Sequence, residues 1–224
     1  EASLKALVDG LHEKVARLAP GLRMNVVINF DNRVKSIGRK REELLQEATG
    51  KYMSFIDDDD AITDAYIEDL RDTIMGGYHV MRLRGQIQQY TFTHSIENTL
   101  SGMMARGEVF LRPPNHLNPM MTDVAKLVHF GDATRGEDLD WTIRLAKRGF
   151  LEREFRSDPG RIHYIYQMGD RKVDPASLEY QTRTTYDTML KVLWTPSGAQ
   201  MPAPAQAGPR IPILRLGPRG FVSS

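Results

Sequence analysis

Apolar residues share one helical face through the opening segment: Leu4, Leu7, Val8, Leu11, Val15 and Leu18 recur at three- and four-residue steps. Pro20 and Gly21 end that pattern. Met24 to Phe30 is a continuous, β-branched run of the kind that makes a buried parallel strand. IGRKREELLQEA follows with helical character and stops at Thr49 and Gly50. KYMSFI then reads as a second strand, with four aspartates, Asp57 to Asp60, at its carboxyl end. Thr63 is a candidate cap for a helix carrying Ile67, Leu70 and Ile74 and ending at Gly76–Gly77. Helices and strands that alternate in this way predict an α/β fold with a parallel, doubly wound sheet.

The middle of the chain has a different rhythm. YHVMRLRGQIQQYTF and GEVFLRPP read as hairpin or edge strands, and Pro113–Pro114 ends the second. NPMMTDVAKLV and GEDLDWTIRLAKRG read as helices, REFRSDPGRIHYIYQ as two short strands about a turn at Asp158–Gly160, and DPASLEYQTRTTYDTMLKVLW as a last amphipathic helix. This divides residues 1–194 into a ligand-binding half, 1–77, and a mixed half, 78–194. Residues 195–210 are linker-like, because six of the 12 prolines fall from Pro196 onward. Ile211, Ile213, Leu214 and Leu216 then restore strand character within 211–224.

Composition narrows the function classes. Thirty Lys and Arg against 29 Asp and Glu leave a net charge of +1, so no bulk attraction to nucleic acid or anionic membrane is expected. With no cysteine there is no disulfide, thiolate metal site or Cys nucleophile, and a reducing cytoplasm is the easier fit. No apolar run approaches the roughly 20 residues of a membrane helix, and no secretory signal pattern opens the sequence.

Four adjacent carboxylates repel one another and raise each other's pKa values unless a positive charge lies among them. Mn²⁺ or Mg²⁺ would resolve the conflict, since hard oxygen ligands suit either ion and leave positions for phosphate. Arg33, Lys35, Arg39, Lys40 and Arg41 lie at the ligand-facing end of the first strand and the start of its helix. Such a helix start attracts anions, and Gly38 allows close backbone approach. A basic and an acidic cluster on adjacent strand ends suit a diphosphate. In GEDLDW, Glu137 and Asp138 open a helix where one carboxylate can face a cleft as a base, with Glu137 available to an acceptor. Trp141 is open between ligand stacking and core, and His163 between metal ligation and simple burial. Asn115, His116 and Asn118 can hydrogen-bond ligand hydroxyls, although a loop-to-helix junction needs no function to carry them. Met103, Met104, Met120 and Met121 suggest adaptable packing.

The order NVVINFDN…SIGRKREELLQEATGKYMSFIDDDDAIT, GEDLDWTIRLAKRGF and RIHYIYQ resembles family 2 glycosyltransferases of the GT-A fold, over about Leu4 to Gln167. The resemblance implies a Rossmann-like, mostly parallel central sheet flanked by helices, with a smaller mixed acceptor-side region. It implies that Asp31 contacts the nucleoside and Arg41 the base or diphosphate, helped by Lys35 and Gly38. Asp57 and Asp59 would form the D-x-D pair, with Asp59 the direct metal ligand, Asp57 nearer the ribose and Asp58 uncertain in register. His163 would be a further metal ligand, Asp138 the general base, and Glu137, Trp141 and Asn118 acceptor contacts. The implied activity is metal-dependent, inverting transfer of a sugar from a nucleoside-diphosphate sugar, by resemblance a UDP-sugar, to a hydroxyl of a glycan, lipid-linked or other acceptor.

Family members carry an innermost strand before the first helix, and this sequence begins at that helix. An unfilled slot would leave two strands with unpaired backbone groups. Ile211 to Leu216 is the expected replacement, returning to its own sheet or to that of a second copy in a strand-exchanged homodimer. On that expectation, deletion beyond Gln200 abolishes folding. Two other readings compete. A sugar-phosphate nucleotidyltransferase needs a G-x-G-T-R-like loop, which RLGPRG matches poorly. A catalytically silent domain binding nucleotide sugar or glycan shares the same residues without turnover.

Overall fold

The computed structural model describes residues 2–31, 34–99, 104–106, 109–167 and 188–196. In chain order the elements are α1 (Ala2–Leu18), β1 (Leu22–Phe30), α2 (Ile37–Gln46), β2 (Tyr52–Ile56), β3 (Ala61–Ile62) and α3 (Asp64–Met75). There follow β4 (Val80–Met81), β5 (Leu83–Ile87), β6 (Tyr90–His94), a 3₁₀ turn (Ile96–Asn98), β7 (Met104–Arg106) and β8 (Val109–Arg112). The remainder are β9 (Met120–Met121), α4 (Thr122–Ala125), α5 (Glu137–Lys147), β10 (Glu154–Phe155), β11 (Tyr164–Tyr166) and β12 (Thr188–Pro196).

The fold is mixed α/β with two six-stranded sheets. The first sheet runs β1-β12-β2-β9-β4-β10. β12 is antiparallel to both β1 and β2, and β9 is antiparallel to both β2 and β4. β1, β2, β4 and β10 therefore share a direction, yet only β4 and β10 pair in parallel. The mostly parallel sheet expected from the sequence is thus replaced by a mixed one, because two antiparallel strands intervene between strands that share a direction.

β2 is buried at every position, as a strand covered on both faces must be. Tyr52 and Ile56 enter one apolar cluster with Leu11 and Val15 of α1 and Ile67, Leu70 and Ile74 of α3. Met53 and Phe55 enter the other with Ile37, Leu44 and Leu45 of α2 and Trp141 and Leu145 of α5. The alternation places α1 and α3 on one face and α2 and α5 on the other. The second sheet, β3-β11-β5-β6-β8-β7, adds Leu83, Ile87, Phe92, Phe110 and Tyr164 to the first cluster. At its β5–β6 hairpin a Cβ on Gly85 would lie 2.0 Å from the Phe92 ring, so only glycine lets that ring cover the strand.

Three local expectations change. NPMMTDVAKLV forms β9 and only a four-residue α4, since Met120 pairs with Met53 and with Val80. Residues 188–194, expected to be helical, and 195–196, expected to be linker, form β12, whose β-branched and aromatic content suits the strand it makes. β12 occupies the slot between β1 and β2, with Leu22 opposite Pro196 and Phe30 opposite Thr188. The slot that Ile211–Leu216 was expected to fill is therefore taken by a different segment, and 211–224 lies outside the described residues. No helix among the described residues is long and apolar enough to cross a membrane.

A proline in the middle of a central strand removes a ladder donor and is excluded from such positions. Val192 is paired with Val26 on one side and Ser54 on the other, so Val192→Pro abolishes cooperative urea unfolding. A chain ending at Asp187 behaves in the same way, whereas one ending at Gln200 keeps every pairing of β12 and unfolds cooperatively.

Candidate functional site

β2 delivers Asp57 to the interior at its carboxyl end, and the chain turns at Asp58 and Asp59 before Asp60 points inward again. The four aspartates therefore part company. Asp57 and Asp60 are 4% and 5% exposed, Asp58 is half-buried and Asp59 is exposed. Asp60 accepts from the Tyr164 hydroxyl at 2.7 Å and from the Gln167 amide at 2.8 Å. Burial, with the charge of Asp57 added, pushes its carboxyl up to about 8. Partial burial and the neighbouring Asp59 likewise raise Asp58.

Asp57 meets a residue from far along the chain. The loop after β8 lies beside the end of β2, where the Phe55 amide donates to the His116 carbonyl at 3.2 Å. This loop is a turn braced by its own asparagines: the Asn115 amide donates to Asn118 Oδ1, and the Leu117 amide to Asn115 Oδ1. His116 Nδ1 donates to Asp138 Oδ2 at 2.9 Å, and its Nε2 faces Asp57 Oδ2 at 3.6 Å, an ion-pair distance too long for a hydrogen bond. Burial and the nearby Arg41 charge oppose protonation of His116, yet the two carboxylates outweigh them and raise its pKa. Burial would raise Asp57 and Asp138, but the His116 contact and the Arg41 charge hold Asp57 below and Asp138 far below the ordinary carboxylate value.

Asp138 comes from α5, whose start is set by Gly136 in the left-handed region, φ 74°. Its Oδ1 accepts from the Leu139 amide at 2.8 Å, so the helix N-terminus adds to its stabilisation as an anion. Glu137 beside it forms a buried ion pair with Arg41 of α2. Arg41, Asp57, His116, Glu137 and Asp138 thus make one buried cluster drawn from α2, β2, a loop and α5. Three buried nitrogens around it lack a hydrogen-bond partner: Arg41 Nε, His116 Nε2 and His94 Nε2.

The other expected residues do not join this cluster. Asp31 pairs with buried Lys40 at 3.3 Å and accepts from the Lys35 amide, while the Lys35 side chain pairs with Glu43 at 2.6 Å at the surface. Gly38 does serve close backbone approach, but its partner is the chain itself. Its amide donates to the Ala133 carbonyl, and a Cβ there would lie 1.9 Å from the Gly131 oxygen. Trp141 is core, 1% exposed, stacked on Phe130 at 4.4 Å and donating to the Val128 carbonyl, so it presents no face to an acceptor. Asn118 spends its amide on Met81 and on the loop, which removes it from acceptor binding.

The expected metal set does not converge. His163 Nδ1 accepts from the Arg84 amide at 2.9 Å, which leaves Nε2 protonated and donating to Asp69 at 2.7 Å. Both ring nitrogens are committed, Asp57 faces His116, and Asp59 lies at the surface. Among the described residues no group of three or more His, Cys, Asp or Glu side chains is arranged to hold a metal ion. His116 is the residue underrated by sequence reasoning. Its only signal was its position between two asparagines in NHLN, a pattern that equally describes a plain turn.

No protein-family model matches the chain, and comparisons with curated proteins and with solved structures give no match either.

Removing one partner of a buried ion pair strands the other, at a cost of about 3–5 kcal/mol, while apolar replacement of both is far milder. Glu137→Gln therefore lowers unfolding free energy by that order, and the pair Arg41→Met with Glu137→Leu recovers most of it in urea titrations. Asp60 adds a pH signature, since its ordinary value is 3.8 and its folded value about 8. Between those values the unfolded chain has released a proton that the folded chain retains, so stability falls as pH rises from about 4 to about 8. Asp60→Asn flattens that part of the stability-versus-pH curve.

Proposed function

We propose that the chain is a glycosyltransferase that moves a sugar from a nucleoside-diphosphate sugar, a UDP-sugar in the first instance, to an acceptor hydroxyl with inversion. The finer fold proposed with it is GT-A, with β1, β2, β4 and β10 as the strands of common direction. The observation that carries the reading is the meeting of Asp57 and Asp138 on one imidazole. Sequence reasoning assigned the first to the donor and the second to the acceptor, and 81 positions separate them. Arg41 Nε supports it further, because a buried guanidinium N–H without a hydrogen-bond partner calls for an acceptor oxygen.

In this reading the acceptor oxygen forms a bond to the anomeric carbon as the bond to the diphosphate breaks in line. The diphosphate leaves with the electron pair, and the charges of Arg41 and His116 stabilise it. The hydroxyl proton passes to Asp138. A carboxylate held so far below its ordinary value is a weak base. It takes the proton late, once the attacking oxygen has become strongly acidic through bond formation. Mn²⁺ or Mg²⁺ would arrive with the donor, with Asp58 and Asp59 as the carboxylates nearest the surface. The low basicity of Asp138 also favours a second reading, a domain that binds the donor without turnover.

Thermal-shift screening of UDP-, GDP- and dTDP-sugars with and without Mn²⁺ tests the donor class. A UDP-sugar raises the melting temperature, and failure of every nucleotide sugar overturns the proposal. Asp138→Asn binds the donor as the wild type does and loses transfer and donor hydrolysis. Wild-type protein that binds donor but never hydrolyses it, with or without Mn²⁺, identifies the silent domain instead.

A further inference from the structure

His94, at the end of β6, is 1% exposed and lies outside every motif of the sequence. Its protonation pattern follows from its neighbours. Asn118 Nδ2 donates to the Met81 carbonyl at 2.9 Å, which fixes that amide's orientation and turns Oδ1 toward the Asn115 amide and His94 Nδ1. Oδ1 only accepts, so His94 Nδ1 carries the proton and donates to it at 3.2 Å. His94 Nε2 is then a bare lone pair, fully buried and without a hydrogen-bond partner. Burial, reinforced by the charge of Arg112, lowers the ring's pKa to about 3, so it stays neutral under ordinary conditions. The same Asn115–Asn118 turn carries His116, and the charges of His116 and Asp138 act on the His94 ring.

We infer that His94 Nε2 is a positioning group that accepts a hydrogen bond from a sugar hydroxyl delivered to the Asp57–His116–Asp138 cluster. The inference rests on the sugar-transfer reading of that cluster and adds what it lacks, a neutral acceptor beside its donors. A buried lone pair left bare costs free energy unless a donor arrives, and a hydroxyl supplies one without adding charge. The hydroxyl belongs either to the sugar of the donor or to the acceptor.

Long-range ¹⁵N NMR of the full chain labelled at histidine reads Nε2 directly. In the free protein the His94 signal is that of an unprotonated nitrogen without a hydrogen bond. UDP, UDP-glucose and methyl glucoside are then titrated in turn. A shift of the Nε2 signal with UDP-glucose but not UDP assigns the hydroxyl to the donor sugar, and a shift with methyl glucoside assigns it to the acceptor. His94→Phe binds the effective ligand roughly ten-fold more weakly, as loss of one hydrogen bond requires, with UDP affinity unchanged. His94→Gln restores part of it, because its amide can donate to Asn118 and accept the hydroxyl. An Nε2 signal that no sugar moves overturns the inference, as does one already hydrogen-bonded in the free protein. The wild-type spectra decide this even should the variants fail to fold. UDP-glucose that shifts other histidines, with neither it nor methyl glucoside moving His94, leaves the donor reading standing and this inference fallen. Methyl glucoside moving Nε2 while UDP-glucose binds nowhere gives the reverse.

Discussion

One buried imidazole ties the end of β2 to the start of α5. Asp57 and Asp138 are carboxylates removed from water, and neither has enough protein donors to compensate without His116 between them. The imidazole of His116, whose pKa the two carboxylates raise, and the guanidinium of Arg41 face the three carboxylates Asp57, Glu137 and Asp138, so basic groups offset the buried acids inside a low-dielectric interior. That balance keeps the carboxyl end of β2 against the start of α5. The surrounding elements serve it: Gly136 turns α5 toward the cluster, and the asparagine-braced loop presents the imidazole edge-on to both acids.

Elsewhere the molecule satisfies its buried charges more completely. Glu154 accepts from Arg82, Arg156, the Ser95 hydroxyl and the Ile96 amide, binding β10 to the β6 turn. Asp69 and His163 lie near Ser157 and have the residue types of a hydrolytic triad, but the wiring is different. Aspartate and serine both approach Nε2, and Nδ1 accepts from a backbone amide, so the imidazole has no free lone pair with which to activate the hydroxyl. A closed network of that kind holds β11 to α3 and β5. Buried nitrogens without a hydrogen-bond partner occur in both kinds of region, at Arg41, His116 and His94 and also at Arg84 and Arg161 beside His163 and Asp69.

Much of the fold was legible because its signals are local. The periodicity of α1 and α3, the buried character of β2 and the glycine before α5 each follow from a few adjacent residues, whereas β1, expected to be a buried parallel strand, is an edge strand antiparallel to β12 with Ile28 47% exposed. The rest depended on partners distant in sequence. β9 and β12 owe their conformation to the strands beside them, and such short or amphipathic stretches read as helices in isolation. Asp57, Arg41, Glu137 and Asp138 were recognisable from their positions at element ends. Trp141, Asn118 and His163 were assigned to ligands, yet each is consumed by the protein's own interior. Whether a side chain faces a cleft or a neighbour is decided by packing, which no spacing rule encodes.

The position of β12 bears on how this chain reaches its native state. β1 and β2 are near neighbours in sequence, but the strand that joins them edge to edge comes from residues 188–196. During ribosomal synthesis the two early strands emerge first and present open backbone edges until that late segment arrives. Closure of so wide a loop raises the contact order and slows the final zippering of the sheet. Until residues 188–196 have been made, the open edges of β1 and β2 are the nascent chain's pairing liability.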